Sequence, residues 1–201
     1  MKITAIKQQV KQQGRYSIFV EGKYSFSLSD TALLDSKLVN GQDLTEKEIR
    51  EYKKLALDDK LYNRALQYVV MRPRSVWEVE FYLKRKEADP LLSQQIVNKL
   101  SNIGLLDDES FARSWIASRR LLKPTSRRRL VLELRQKHVP AEVSERVLAE
   151  EEVDELSVLK ELIERKRKQT KYRDDQKLMQ YLARQGFGYG DIKQALSNDL
   201  D

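Results

Sequence analysis

The densest group of chemically active side chains is a run of cations between residues 113 and 137. These 25 residues contain nine lysines and arginines and a single glutamate, which gives a local net charge of +8. The whole chain has a net charge of +7, so the charges elsewhere nearly cancel. Cations at this density attract phosphates and carboxylates, and the pattern favours a polyanionic partner such as nucleic acid. The nine cations are Arg113, Arg119, Arg120, Lys123, Arg127, Arg128, Arg129, Arg135 and Lys137.

Three of these cations, Arg127, Arg128 and Arg129, directly follow Ser126, which is a good N-cap for a helix. Cations in the first turn oppose the helix dipole, and each costs about 0.3 to 1 kcal/mol there. A helix with a purely structural role would more naturally carry acids at this end. The triplet therefore favours a negatively charged partner over a merely solvated face.

Two short segments place cations beside a proline and a serine. They are Arg72–Pro73–Arg74–Ser75 and Lys123–Pro124–Thr125–Ser126. Proline disfavours helical geometry in the residue before it, and serine can cap the next helix, so each segment predicts a corner between two helices. Free backbone amides at such a corner, with cations beside them, can bind phosphate. For the first corner a plain helix–turn–helix connection with solvated arginines explains the residues equally well.

Residues suited to catalysis are sparse. The single histidine, His138, is predicted at a helix end, where it caps the helix rather than acting as a base. There is no cysteine for a nucleophile or a thiolate zinc site. The glycine-rich segment Gly186–Gly190 follows a helix and lacks the Lys-Ser/Thr pair of a phosphate-binding loop. We therefore expect no enzyme activity, no cofactor and no metal site.

The chain as a whole is polar, with 34% charged residues and a mean hydropathy of −0.65. The N-terminal residues MKITAIKQQ contain no apolar core of signal-peptide length, and no run approaches the length of a membrane span. The lack of cysteine agrees with a reducing compartment. These features predict a soluble, cytoplasmic protein without membrane contact.

The first 57 residues are predicted to form a separate, β-rich module. Residues 2–28 contain three short β-rich runs with turn residues between them, which predicts a small antiparallel sheet of two or three strands. Ser29 or Asp30 can then cap a short helix. The segment from Thr45 to Glu48 is a capping box, and its helix either ends near residue 57 or continues toward Met71. We favour a break near Asp58–Asp59.

The rest of the chain repeats itself every 48 to 51 residues, a length that suits three short helices. The two proline corners lie 51 residues apart, and each middle helix carries an apolar pair at the same position. The pattern predicts tandem three-helix units at residues 58–106, 107–152 and 153–201, after the module of residues 1–57. The apolar pairs are Val79 and Leu83, Leu130 and Leu134, and Leu178 and Leu182.

Two further groups of residues have a structural interpretation. Trp77, Phe111 and Trp115 occur at apolar helical spacings, which favours a place in the core or between units over base stacking. An acidic block follows the basic run, and it either is a solvated face, pairs with arginines of a neighbouring unit, or repels nucleic acid from one side. The block consists of Glu142, Glu145, Glu150, Glu151, Glu152, Asp154 and Glu155.

Several motifs between residues 61 and 150 occur in a combination that is specific to one protein family. They are Arg72–Pro73–Arg74–Ser75 with Glu78 and Tyr82–Lys86, Gly104–Asp108 with Phe111, Ala112 and Trp115, Arg119 with Lys123–Pro124 and Ser126, and Glu133–Lys137. This combination resembles the RecX family, regulatory proteins that modulate the RecA recombinase. Residues 151–198 resemble the last repeat of the family more loosely, and His138 stands where the family usually has glycine.

The resemblance implies a mainly α protein, with tandem three-helix repeats in an elongated, curved array and a small β-rich N-terminal module. It implies a monomer that lies in the groove of the RecA filament on single-stranded DNA, with at most weak binding to duplex DNA. It further implies inhibition of ATP hydrolysis, strand exchange and co-protease activity, and thus regulation of recombination, DNA repair and the SOS response. The candidate residues for contact with RecA or DNA are Arg72, Arg74, Lys84, Arg85, Lys86, Arg119, Arg120, Lys123, Arg127, Arg128, Arg129, Arg135 and Lys137.

Two other functions compete with this one. A transcription factor could read duplex DNA with a helix–turn–helix, and Arg127–Arg129 could face bases, but Ser75–Glu80 could not easily do so. No dimerisation segment is evident either. A nuclease or ligase accessory enzyme is disfavoured because no metal site is evident in the sequence.

Overall fold

The computed structural model describes residues 1–151 and 153–197, and the chain divides into two compact units. Unit 1 comprises Met1–Arg72 and Val79–Leu100, and unit 2 comprises Pro73–Glu78 and Ser101–Asp201. The described residues contain ten α-helices, one short 3-10 helix and three strands, all three strands at the N-terminus. The prediction of a mainly α protein with a small β-rich N-terminal module is confirmed.

The N-terminal sheet is antiparallel, with strands β1 (Ile3–Gln8), β2 (Arg15–Val20) and β3 (Lys23–Ser29) in sequential order. Alternate residues of the strands turn inward, as the period of two requires, and Ile18 and Leu28 are fully buried. The buried face packs against a helix, which gives this small sheet the apolar partner that it needs.

Helix α1 (Asp30–Ser36) is capped by Ser29, and helix α2 (Glu46–Val70) begins with the predicted capping box. The predicted break near Asp58–Asp59 is wrong, because α2 continues through both aspartates for 25 residues. The Asp59 carboxylate accepts hydrogen bonds from the Ser29 amide (3.0 Å) and the Ser29 hydroxyl (2.6 Å). Asp59 is thus a tertiary anchor between α2 and the sheet, and neither aspartate ends the helix.

Eight further helices follow, and one of them, α3, has its first three residues in unit 2 and the remainder in unit 1. Within residues 1–151 and 153–197 we find no helix that is both long and apolar enough to cross a lipid bilayer. The helices are α3 (Val76–Arg85), α4 (Pro90–Asn102), α5 (Asp108–Leu122), α6 (Arg127–Gln136), α7 (Ala141–Ala149), α8 (Glu155–Arg167), α9 (Asp175–Arg184) and α10 (Tyr189–Ser197), with the 3-10 helix Thr170–Tyr172 before α9.

The helices of unit 2 enclose two hydrophobic cores. The first lies among α5, α6 and α7 and includes Phe111 and the predicted pair Leu130 and Leu134. The second lies among α8, α9 and α10 and includes the predicted pair Leu178 and Leu182. Each core is thus built by three consecutive helices, as the repeat in the sequence predicts.

The middle helices α3, α6 and α9 all end in the same backbone geometry. A residue just after each helix end has a positive φ, with 58° at Glu87, 55° at His138 and 91° at Gly186. The next amide then donates back to the carbonyl of the second residue of the apolar pair, as Val139 does to Leu134 at 3.1 Å. His138 adopts the left-handed conformation that glycine adopts more easily, so the capping role predicted for it is confirmed.

Candidate polyanion-binding surface

The second proline corner joins two consecutive three-helix units. The Ser126 hydroxyl accepts a hydrogen bond from the Arg129 amide (3.1 Å) and so caps α6. The same hydroxyl donates to the Gln185 carbonyl at the end of α9 (2.9 Å), and the Thr125 hydroxyl donates to that carbonyl as well (3.1 Å). The corner therefore donates hydrogen bonds to one of the last, otherwise unsatisfied carbonyls of a helix in the following three-helix unit.

The first corner has the same arrangement. The Ser75 hydroxyl accepts from the Glu78 amide (3.2 Å) and donates to the Lys137 carbonyl at the end of α6 (2.8 Å). Beside it, Trp77 stacks on His138, with ring centroids 4.1 Å apart and planes 19° from parallel. Trp77 thus lies between three-helix units, as predicted.

The backbone amides at these corners are occupied. The Val76 amide donates to the Asp108 carboxylate (2.9 Å), and the Arg127 amide donates to the Glu155 carboxylate (3.0 Å). The expectation of free amides for phosphate binding is therefore wrong at both positions. Glu155 also supplies the negative charge that the first turn of α6 lacks in its own sequence, so the helix dipole alone does not call for an external anion.

Asp108 and Glu155 are the residues of the corners that the sequence reasoning missed. Each comes one position after an aspartate that caps its helix, and the two lie 47 residues apart, one residue less than the shortest spacing of the repeat. That spacing was a signal in the sequence. The cap itself, Asp107, accepts from the Ser110 amide (2.7 Å), and this bond holds the pKa of the Asp107 carboxyl below its usual value.

Two residues of the acidic block pair with arginines of their own three-helix unit, whereas the second alternative placed these arginines in a neighbouring unit. Glu150 pairs with Arg113 (2.5 Å), and Glu151 pairs with Arg120 (3.0 Å). Glu142 and Glu145 are exposed to solvent, whereas Glu152 lies outside the described residues. The acids that follow the basic run therefore neutralise part of it.

Three of the candidate cations converge on Trp115 and Glu133. The Glu133 carboxylate accepts from Arg119 (2.7 Å) and from the Trp115 indole (3.1 Å), and Arg129 lies 3.5 Å from its other oxygen. The Arg119 guanidinium lies 4.7 Å from the centre of the Trp115 ring, and the Lys137 ammonium lies 5.2 Å from it. Trp115 is thus half-buried among cations, and these contacts hold the cations in place.

Other candidate cations are exposed, and their side chains make no hydrogen bond or ion pair with any residue in the described parts of the chain. In unit 2 these are Lys123, Arg128 and Arg135. Arg128 and Arg135 lie two turns apart on α6, about 10 Å along its axis, with Leu132 (45% exposed) between them. We call Arg128, Leu132 and Arg135 the α6 face.

The remaining candidates have other surroundings. Lys84 and Arg85 are exposed at the end of α3 in unit 1, and the Lys86 ammonium lies 5.7 Å from the Tyr82 ring centre. Arg72 and Arg74 each interact with another group of the protein. Arg127 donates from its guanidinium to the Leu148 carbonyl (2.9 Å). The candidates therefore fall into an internally paired set and an outward-facing set.

Comparison with known proteins identifies the family. Models for the domains of RecX match four segments: the regulatory protein RecX N-terminal domain at residues 1–45, and the first, second and third three-helix domains at residues 62–100, 107–148 and 152–196. A regulatory protein RecX from Listeria monocytogenes is 32% identical over 193 residues, which cover 93% of this chain and 71% of that protein. The chain belongs to the RecX family.

Other members of the RecX family agree with this assignment. A regulatory protein RecX from Lactobacillus gasseri is 35% identical over 153 residues, which cover 76% of this chain but only 56% of that longer protein. A crystal structure of a regulatory protein RecX has a TM-score of 0.72 at 26% identity, and each chain is covered to 98%. RecX from Lactobacillus salivarius shares the fold, with a TM-score of 0.60 and 24% identity over 72% of this chain. The α6 face lies in the segment that matches the second three-helix domain of RecX, residues 107–148.

Proposed function

We propose that this RecX-family protein binds the RecA filament on single-stranded DNA and inhibits its ATPase, strand-exchange and co-protease activities. Acting in this way, it regulates recombination and DNA repair as a cytoplasmic monomer. The α6 face is the observation that carries the proposal. Its two arginines stay exposed and have no ion pair among the described residues, although unit 2 pairs several neighbouring cations.

The distribution of ion pairs supports a role for these two arginines in binding. Arg119 and Arg120 have acidic partners within unit 2, so their charges are partly compensated. Arg128 and Arg135 keep their full charge on one side of a helix, where phosphates or acidic patches of a filament can reach them. Leu132 between them offers apolar surface for a protein partner.

The test is the rate of ATP hydrolysis by RecA on single-stranded DNA, titrated with this protein. We expect inhibition at amounts below one protein per RecA. The double variant Arg128→Glu/Arg135→Glu should require about tenfold more protein for the same inhibition, because two attractive contacts become repulsive. The control Lys160→Glu/Lys193→Glu makes the same change in net charge at exposed positions on α8 and α10, and it should inhibit like the wild type.

Two results would contradict the proposal. One is a wild-type protein that leaves the ATPase rate unchanged at saturation. The other is an Arg128→Glu/Arg135→Glu variant that inhibits as well as the wild type, which would remove the α6 face from the mechanism. Tight, sequence-dependent binding to duplex DNA without any effect on RecA would instead favour the helix–turn–helix transcription factor.

A further inference from the structure

Unit 1 contains a groove of about 290 Å³ between the outer edge strand β3 and helix α2. Neither the sequence motifs nor the proposed function gives this groove a role. No acidic side chain is among the residues that line it in the described chain. Its walls are formed mainly by Tyr24, Ser25, Ser27, Lys53, Leu57 and Lys60.

The helix side of the groove presents uncompensated cations. The side chains of Lys53 and Lys60 are exposed and make no hydrogen bond or ion pair to other described residues. They lie two turns apart on α2, and Arg50 extends the same side of the helix by one turn, so the three cations span about 15 Å. By contrast, Lys47 on the same helix has Glu51 4.0 Å away. A row of cations of this length fits several phosphates of a nucleic-acid strand.

The floor of the groove is held in place by Arg15. Its guanidinium pairs with Asp59 of α2 (3.2 Å) and donates to the Ser27 carbonyl (3.0 Å) and the Ser27 hydroxyl (3.1 Å). The Arg15 side chain is only 13% exposed. Because these contacts connect strand and helix, the two walls are fixed relative to each other before any ligand binds.

The strand side of the groove presents an aromatic ring. Tyr24 is 59% exposed, and its ring contacts Phe19 edge to face, with centroids 6.2 Å apart and planes at 79°. Phe19 itself has the Lys7 ammonium 5.6 Å from its ring centre. An exposed, positioned aromatic ring beside a row of cations is the combination with which proteins bind single strands, since the ring stacks on a base and the cations contact the backbone.

We propose that this groove binds single-stranded nucleic acid, with Lys53 and Lys60 on the phosphates and Tyr24 stacked on a base. The site uses different residues from the α6 face and needs no RecA. It can therefore be tested without any filament.

The experiment measures the affinity of the 201-residue chain for a fluorescent oligo(dT) by anisotropy, at several salt concentrations and without RecA. The variant Lys53→Gln/Lys60→Gln should bind more weakly, and its slope of log K against log salt should be smaller by about 1.4, from two lost phosphate contacts on a single strand. Tyr24→Leu keeps an apolar contact for Phe19 but removes the stacking ring, and it should weaken binding about fivefold or more. Tyr24→Trp should bind at least as well as the wild type.

The matched control is Lys47→Gln/Lys54→Gln, which removes two exposed lysines from the same helix outside the groove and should bind like the wild type. All variants are also made in the Arg128→Glu/Arg135→Glu background, so that binding at the α6 face does not hide the groove. If both lysine pairs lower affinity equally, or if Tyr24→Leu changes nothing, the proposed site is overturned. That outcome would leave the RecA proposal intact, because the ATPase test depends on other residues.

Discussion

The hydroxyl of Ser126 makes two hydrogen bonds with different purposes. It caps α6 by accepting from the Arg129 amide, and it joins two three-helix units by donating to the Gln185 carbonyl. Ser75 makes the equivalent pair of bonds to Glu78 and Lys137. The serine in each proline corner is thus a joint between neighbouring three-helix units. The cations beside the corners differ in their partners: the Arg127 guanidinium donates to the Leu148 carbonyl, whereas the Lys123 side chain is exposed.

Replacing Ser126 with alanine should lower the free energy of unfolding by about 1 to 2 kcal/mol, because it removes an N-cap and a buried bond to Gln185. Urea unfolding followed by circular dichroism measures the change. Ser118→Ala, at an exposed position on α5, is the control and should have little effect. Equal stability of the two variants would show that the Ser126 corner does not join the three-helix units.

Helices α3, α6 and α9 share an ending that only a positive φ can provide, yet the residues there are Glu87, His138 and Gly186. The difference between the last two lies in their surroundings. A Cβ atom at Gly186 would overlap the Ser126 hydroxyl and lie 3.3 Å from the Arg129 amide nitrogen. At His138 the side chain instead stacks on Trp77, which offsets part of the cost of the left-handed conformation.

Gly186→Ala should therefore lower the free energy of unfolding by more than about 1 kcal/mol, because both its φ of 91° and its contact with Ser126 oppose a side chain. Gly190→Ala is the control, and it should change the free energy of unfolding in the opposite direction. Gly190 lies in α10, and no other atom lies near the position of an added Cβ, so alanine should stabilise the protein by up to about 1 kcal/mol. Thermal and urea unfolding measure the stability of the two variants. A Gly186→Ala variant as stable as the wild type would contradict the close contact between Gly186 and the Ser126 hydroxyl.

At the scale of the whole molecule, ionisation of most carboxyl groups with a shifted pKa among the described residues stabilises the folded state. The pKa of Glu48, Asp107 and Asp154 is lowered chiefly by hydrogen bonds at helix N-termini. The pKa of Glu109 is lowered by hydrogen bonds from Arg113 and Arg146. Burial raises the pKa of Asp58 and acts in the opposite direction. In residues 1–151 and 153–197, four carboxyl groups with a lowered pKa therefore oppose one with a raised pKa.

A group whose pKa is lower in the folded state stabilises that state above its usual pKa, and this contribution is lost as the pH falls through the lowered value. We expect the free energy of unfolding to be nearly constant between about pH 7 and 5 and to decrease below the usual pKa values of 4.5 for Glu and 3.8 for Asp. Urea unfolding at a series of pH values measures this. Asp107→Asn should be less stable at neutral pH but show a shallower acid decrease, and an unchanged slope would contradict the role of Asp107.

Sequence alone determined the local elements and the repeat. The Thr45–Glu48 capping box, the Ser126 cap and the apolar pairs of the middle helices depend on neighbours within one helix, so their spacing was enough. The family followed from motifs of the same local kind. The boundaries predicted for the three-helix units at residues 106 and 152 stay predictions, whereas the predicted end of the first module at residue 57 falls inside α2.

The tertiary structure decided which charges are compensated. The sequence predicted a helix break at Asp58–Asp59, but in the structure the Asp59 carboxylate accepts a hydrogen bond from Ser29. Arg119 and Arg128 were equivalent candidates in the sequence, but of the two only Arg119 forms an ion pair with a glutamate among the described residues. Both outcomes depend on residues from other elements, at distances along the chain that spacing does not reveal. The groove lined by Tyr24, Lys53 and Lys60 likewise forms only because β3 and α2 pack together. Charge is a property of the sequence, but its compensation depends on which side chains the fold brings within a few ångströms of each other.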